Sequence, residues 1–146
     1  MKIETLLLRV AMSASVAVSG VVHAYLYTNG YRDIPTVGPA FLLQGSVFCA
    51  LAALILVGGP AWLQLAAAAG AAGSLVAFAL SRTIGFFGFI EAGWEPSPYA
   101  LLSVVAEVLT VVLVGATFMR RRARSATAIG VDQPAAHADS EPSSLG

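Results

Sequence analysis

Between Val10 and Met119 the chain carries only six charged residues, Arg32, Asp33, Arg82, Glu91, Glu95 and Glu107. They divide the sequence into apolar runs near 6–27, 36–57, 61–80 and 99–119, with turn and break signals at Asn29-Gly30, Ile34-Pro35 and Gly58-Gly59-Pro60. A run of about 22 residues is about 33 Å long as a helix, enough to cross a hydrocarbon core of about 30 Å. The spacing predicts an all-α, four-helix transmembrane bundle, up-down-up-down, formed by residues 1–119. Composition agrees, with 58% hydrophobic and 11% charged residues, where a soluble domain carries roughly 25% charged.

Orientation follows from the basic residues. Lys2, Arg9, Arg120, Arg121, Arg122 and Arg124 fall on one side, against Arg32 and Arg82 on the other. This predicts that both termini are cytoplasmic in a plasma membrane. The arginine cluster directly follows an apolar span, so it reads as a stop signal and not as a nucleic-acid site. Residues 120–146 are expected to form that basic segment and a disordered cytoplasmic tail, from about Ser125, which contains His137. Lys2 and Arg9 followed by Val22-His23-Ala24 resemble a signal peptide. The apolar stretch continues to Tyr27, however, so the first run is read as a retained anchor.

Within the spans, Ser15, Ser19, His23 and Tyr27 share one helical stripe, and Ser103, Glu107 and Thr110 share another. Polar atoms facing lipid lack partners, so these stripes are expected to face one another together with Gln44. Counted from the outer span ends, His23 lies about 7 Å deep, Gln44 about 12 Å and Glu107 about 13 Å. A buried polar cluster of His23, Gln44 and Glu107 is therefore expected, with Arg82 or a tyrosine as a further member. Gly70, Gly73/Ser74, Ala77 and Ser81 form a small-residue stripe expected to make close helix contact.

The segment SRTIGFFGFIEAGWEPSP is too apolar for an ordinary loop. Phe86, Phe87, Phe89, Glu91 and Trp94 are expected to lie at the interface, as a short helix or as a lid over the outer mouth of the bundle, with Glu91 and Glu95 facing the headgroups or Arg82. Cys49 stands alone, which excludes a disulfide or CxxC pair within one chain; it reads as a small buried side chain. His23 alone supplies neither a zinc site nor a bis-histidine haem, so no metal or cofactor is expected.

The segments GVVHAYLYTNGYRDIPTVGPAFLLQ and SRTIGFFGFIEAGWEPSPYALLSVVAE resemble those of small, uncharacterised four-span integral membrane proteins of actinobacteria. That resemblance implies no activity and no catalytic residues. Three function classes fit the sequence. The leading one is a non-enzymatic accessory or interaction subunit of the cell envelope, whose partners are the lipid bilayer and other membrane proteins or a second copy. Next is a small proton-linked transporter or ligand-binding protein using Glu107. Last is a haem- or quinone-interacting redox protein using His23, Tyr27 and Glu107.

Overall fold

A computed structural model describes the backbone of residues 3–131 and the side chains of residues 3–126. Four helices account for most of it: α1 (Ile3–Leu26), α2 (Val37–Leu56), α3 (Ala61–Ser81) and α4 (Tyr99–Val131). All four are long and apolar enough to cross a membrane. The chain is thus an all-helical, multi-pass membrane protein.

Each helix end has a local cause. α1 widens into one further turn, Tyr27–Tyr31, and breaks at Asn29 and at Gly30, whose φ of 128° lies outside the helical region. At the end of α2, the Gly58 N–H bonds the Ile55 carbonyl and the Gly59 N–H bonds the Leu54 carbonyl. Gly58 takes φ 93°, the left-handed residue that closes a Schellman motif. Pro60 follows in an extended conformation and opens α3, so two membrane helices are joined by a very short turn.

α4 does not stop at Met119, where the apolar run ends. It remains helical through the four arginines as far as Val131. Arginine and alanine both favour helix, so the end of the apolar run need not end the helix. Residues 132–146, which hold most of the expected tail and His137, lie outside the described residues.

Cross-helix bonds fix the antiparallel topology. The Ser13 hydroxyl donates to the Ala52 carbonyl at 2.7 Å, joining α1 to α2. Ser15 meets Thr110 at 2.8 Å, and Ser19 meets Glu107 at 3.0 Å, joining α1 to α4. Ser74 on α3 reaches Glu107 at 2.8 Å. The tightest packing lies between α1 and α2. A Cβ added to Gly20 would sit 3.0 Å from the Cys49 backbone nitrogen, and one on Gly45 would sit 3.0 Å from that of Ala24. The absence of two methyl groups lets these backbones approach.

The α3 stripe divides. Gly70 makes close helix contact, since a Cβ there would sit 2.7 Å from the Phe48 ring of α2, whereas a Cβ on Gly73 would meet nothing within 4 Å, and Gly73 is exposed. Close approach of backbone to backbone falls to Gly20 and Gly45, on α1 and α2. Cys49 is also exposed on the bundle surface and not buried, because Phe48 beside it takes the inward position at 2% exposure.

Candidate functional site

Glu107 is 1% exposed, and side chains from every helix surround it. Its Oε1 accepts hydrogen bonds from Ser19 Oγ on α1 at 3.0 Å, Gln44 Nε2 on α2 at 3.0 Å, Ser74 Oγ on α3 at 2.8 Å and Ser103 Oγ on α4 at 3.0 Å. His23 Nε2 stands 3.9 Å from the same oxygen. Among the described residues all four hydrogen bonds fall on Oε1, leaving Oε2 without one.

The serine geometry shows how strongly this carboxyl organises its surroundings. A helical serine or threonine often bonds a carbonyl one turn back. Ser46 and Ser81 do so here, while Ser15 and Thr110 each lie within reach of such a carbonyl and of each other, so one of the two donates across the bundle. Ser19, Ser74 and Ser103 instead direct their hydrogens across the bundle to Glu107. Three hydroxyls and an amide thus converge on one oxygen, which acts only as an acceptor.

His23 is oriented from its other nitrogen. Nδ1 lies 2.9 Å from the Ser19 carbonyl, which can only accept, so Nδ1 carries the hydrogen. In the neutral ring Nε2 is then a bare acceptor on the side of Glu107. Phe41 holds the ring edge-on at 4.9 Å between centroids.

Glu107, His23, Gln44, Ser74 and Ser103 lie along the wall of a cavity of about 450 Å³ within the bundle. Most of the remaining wall is apolar, with Phe41, Phe48, Phe78, Phe86 and Phe89 contributing rings. The dimensions suit a small organic molecule, since ligand pockets are typically mostly apolar with a few placed polar groups.

The segment after α3 forms part of the same wall. Phe86 and Phe89 exchange backbone hydrogen bonds at 2.9 Å, around a tight turn in which Phe87 and Gly88 both take positive φ, 50° and 82°. Such a turn is the mirror-image type that joins antiparallel strands, so this part of the segment is a hairpin tip and not the short helix that was one expectation. Phe86 and Phe89 are half-buried and pack against Val22, Leu26, Tyr31 and Val37. Phe87 and Trp94 are exposed, with Trp94 tilted against Phe78 at 5.7 Å.

Of its two expected settings, Arg82 takes the one beside the loop glutamates and not the one in the Glu107 cluster. Its Nη1 pairs with Glu91 Oε2 at 2.9 Å, its Nη2 donates to the Glu95 carbonyl, and its guanidinium lies 4.5 Å over the Phe78 ring. Tyr31 donates to the other Glu91 oxygen at 2.5 Å. Arg82 and Glu91 therefore form a second polar group in the cavity wall, tying the aromatic segment to α3 and to the end of the first span.

The structure thus brings together His23, Gln44 and Glu107 from three helices and adds Ser19, Ser74 and Ser103 to them. The serines were visible as stripe members, but stripe position does not show which hydroxyls abandon their own helix. Of the two expected neighbours of Glu91, headgroups or Arg82, the structure gives Arg82, and its Tyr31 partner could not be read from spacing. Among the described residues no group of three His, Cys, Asp or Glu could hold a metal ion. No protein family, curated protein or solved structure matches the chain.

Proposed function

We propose that this chain is a small-molecule-binding protein of the plasma membrane, with both termini cytoplasmic, and that Glu107 anchors the polar end of its ligand. One observation carries the reading: a carboxyl buried to 1% lines a cavity of about 450 Å³ with one oxygen bonded by the protein and the other unpartnered among the described residues. Burying a carboxylate at membrane depth is costly, and packing alone is served by apolar side chains. The aromatic segment bearing Phe86 and Phe89 closes one part of the wall. The orientation rests on the basic residues that flank the first and fourth spans.

The test is reaction with dicyclohexylcarbodiimide, an apolar reagent that modifies carboxyl groups it reaches through lipid or an apolar cavity. Protein in lipid nanodiscs at mildly acidic pH, which supplies the proton that the carbodiimide nitrogen takes up as the carboxyl adds to its carbon, is expected to be modified at Glu107, and filling the cavity wall by Ala77→Trp is expected to block the reaction. Modification of Glu107 at an equal rate in the Trp variant would remove the cavity from the account.

A second reading, a subunit of a larger assembly or a homo-oligomer, draws on α3. Only 17% of its apolar stretch is buried within the bundle, the smallest share of the four spans, and Ala66 and Ala69 are exposed on it away from the cavity wall. Small exposed residues permit close approach by another helix. Photobleaching of a fluorescently tagged chain in native membranes tests this: single-step traces count against self-association, and purification with a second protein supports the accessory role.

A further inference from the structure

Five titratable side chains line the bundle cavity: His23, Tyr31, Arg82, Glu91 and Glu107; the Tyr31 hydroxyl donates to Glu91. Arg82 and Glu91 neutralise each other through their 2.9 Å ion pair. The guanidinium is further occupied by the Phe78 ring and the Glu95 carbonyl. His23, with Nδ1 on the Ser19 carbonyl, offers an acceptor in its neutral form. Glu107 is left as the acidic group that no arginine pairs among the described residues, with His23 Nε2 standing 3.9 Å away. Hydrogen bonds from Ser19, Gln44, Ser74 and Ser103 solvate Oε1, but they are dipoles and bring no compensating positive charge. An isolated buried charge is costly until paired.

On these grounds we infer that the ligand is a lipophilic organic monocation, an ammonium or similar centre on an apolar body, whose charge pairs with Glu107 while its body lies against the aromatic wall. The inference rests on the ligand-binding reading above and narrows it to one chemical class.

Three features of the cavity select this class over its neighbours. An inorganic divalent cation takes a shell of six or more oxygens, whereas this wall is predominantly apolar and no three His, Cys, Asp or Glu residues converge among the described residues. An anion meets Glu107 directly, and the Arg82 charge is already paired with Glu91, with only its Nε left without a hydrogen-bond partner. A neutral apolar molecule leaves the carboxylate uncompensated. The rings favour a cation as well, because the face of an aromatic ring attracts positive charge. Phe41 and Phe48 on α2 and Phe78 on α3 share the wall with Glu107, and Phe78 already accepts the Arg82 guanidinium at 4.5 Å.

The probe is benzyltrimethylammonium, paired with neopentylbenzene, in which carbon replaces the charged nitrogen at nearly unchanged shape. Purified protein in zwitterionic-lipid nanodiscs is titrated with each, and binding is read as a rise in Tm relative to the same addition to the Ala77→Trp variant. The account expects the cation to bind about tenfold or more tightly than its neutral counterpart, with the preference abolished in Glu107→Gln.

Equal binding of the two probes to the wild-type protein overturns the cationic class while leaving a ligand cavity standing. Failure of both probes to raise the Tm overturns the inference, and the carbodiimide reaction then decides separately whether the cavity reading survives. Because the charge comparison is made within the wild-type protein, it stands even if Glu107→Gln fails to fold.

Discussion

The Ser74 hydroxyl gives its hydrogen to Glu107 Oε1 at 2.8 Å across the α3–α4 interface, and not to a carbonyl of its own helix. Ser19 and Ser103 make the same choice. Replacing Glu107 therefore tests how much of the bundle depends on this convergence. Glu107→Ala opens a hole and strips Gln44 of its acceptor, and is expected to cost about 2–3 kcal/mol. Glu107→Gln keeps the shape, and the three serines can turn back to their own helix carbonyls, so a change within about 1 kcal/mol is expected. Unfolding in mixed micelles measures both; equal large losses would mean that the charge itself holds the helices together.

The α1–α2 contact makes a sharper prediction. Gly45→Ala places a methyl 3.0 Å from the Ala24 backbone nitrogen, and backbone cannot turn aside as a side chain does. The expected cost is about 1–3 kcal/mol. Gly73→Ala meets nothing within 4 Å and should be neutral or stabilising by up to about 1 kcal/mol, since alanine favours helix over glycine. The same unfolding titration ranks them, and a greater loss at Gly73 than at Gly45 would contradict the assigned packing.

Arg82, Glu91 and Tyr31 hold the aromatic segment to the bundle. Their side chains are partly open, with Arg82 at 14% and Glu91 at 23% exposure, so the pair contributes on the order of 1 kcal/mol or less after solvent screening. Its loss should be visible locally: in Glu91→Gln the Phe86 and Phe89 amides, bonded to each other's carbonyls, are expected to exchange hydrogen faster while the amides of α1 and α2 remain protected. Unchanged exchange at Phe86 and Phe89 would show that ring packing alone holds the segment.

The helices and their order were legible because hydropathy and turn residues directly encode spans. So was the meeting of His23, Gln44 and Glu107, since polar side chains at similar depth have few partners in a membrane other than one another. The helix contact was read onto α3 because a stripe of small residues is conspicuous there. The two glycines where backbone meets backbone, Gly20 and Gly45, lie on different helices and form no visible stripe. For Arg82 the sequence offered both the Glu107 cluster, by depth, and the loop glutamates Glu91 and Glu95, by proximity, without deciding between them. Its Glu91 partner depends on the path of a hairpin tip set by the positive φ of Phe87 and Gly88, and residue type foretells such a conformation poorly at a phenylalanine. The cavity arises from how four helices diverge, for which a single sequence carries no local signal.

The central claim is that the cavity beside Glu107 holds a small molecule. Native mass spectrometry of mildly extracted protein tests it most directly, with wild type, Glu107→Gln and Ala77→Trp measured side by side. The account predicts a discrete small-molecule mass on the wild-type chain that is absent from the Ala77→Trp chain and reduced on the Gln chain. A wild-type chain that carries nothing beyond lipid, or an added mass retained unchanged by both variants, would contradict it.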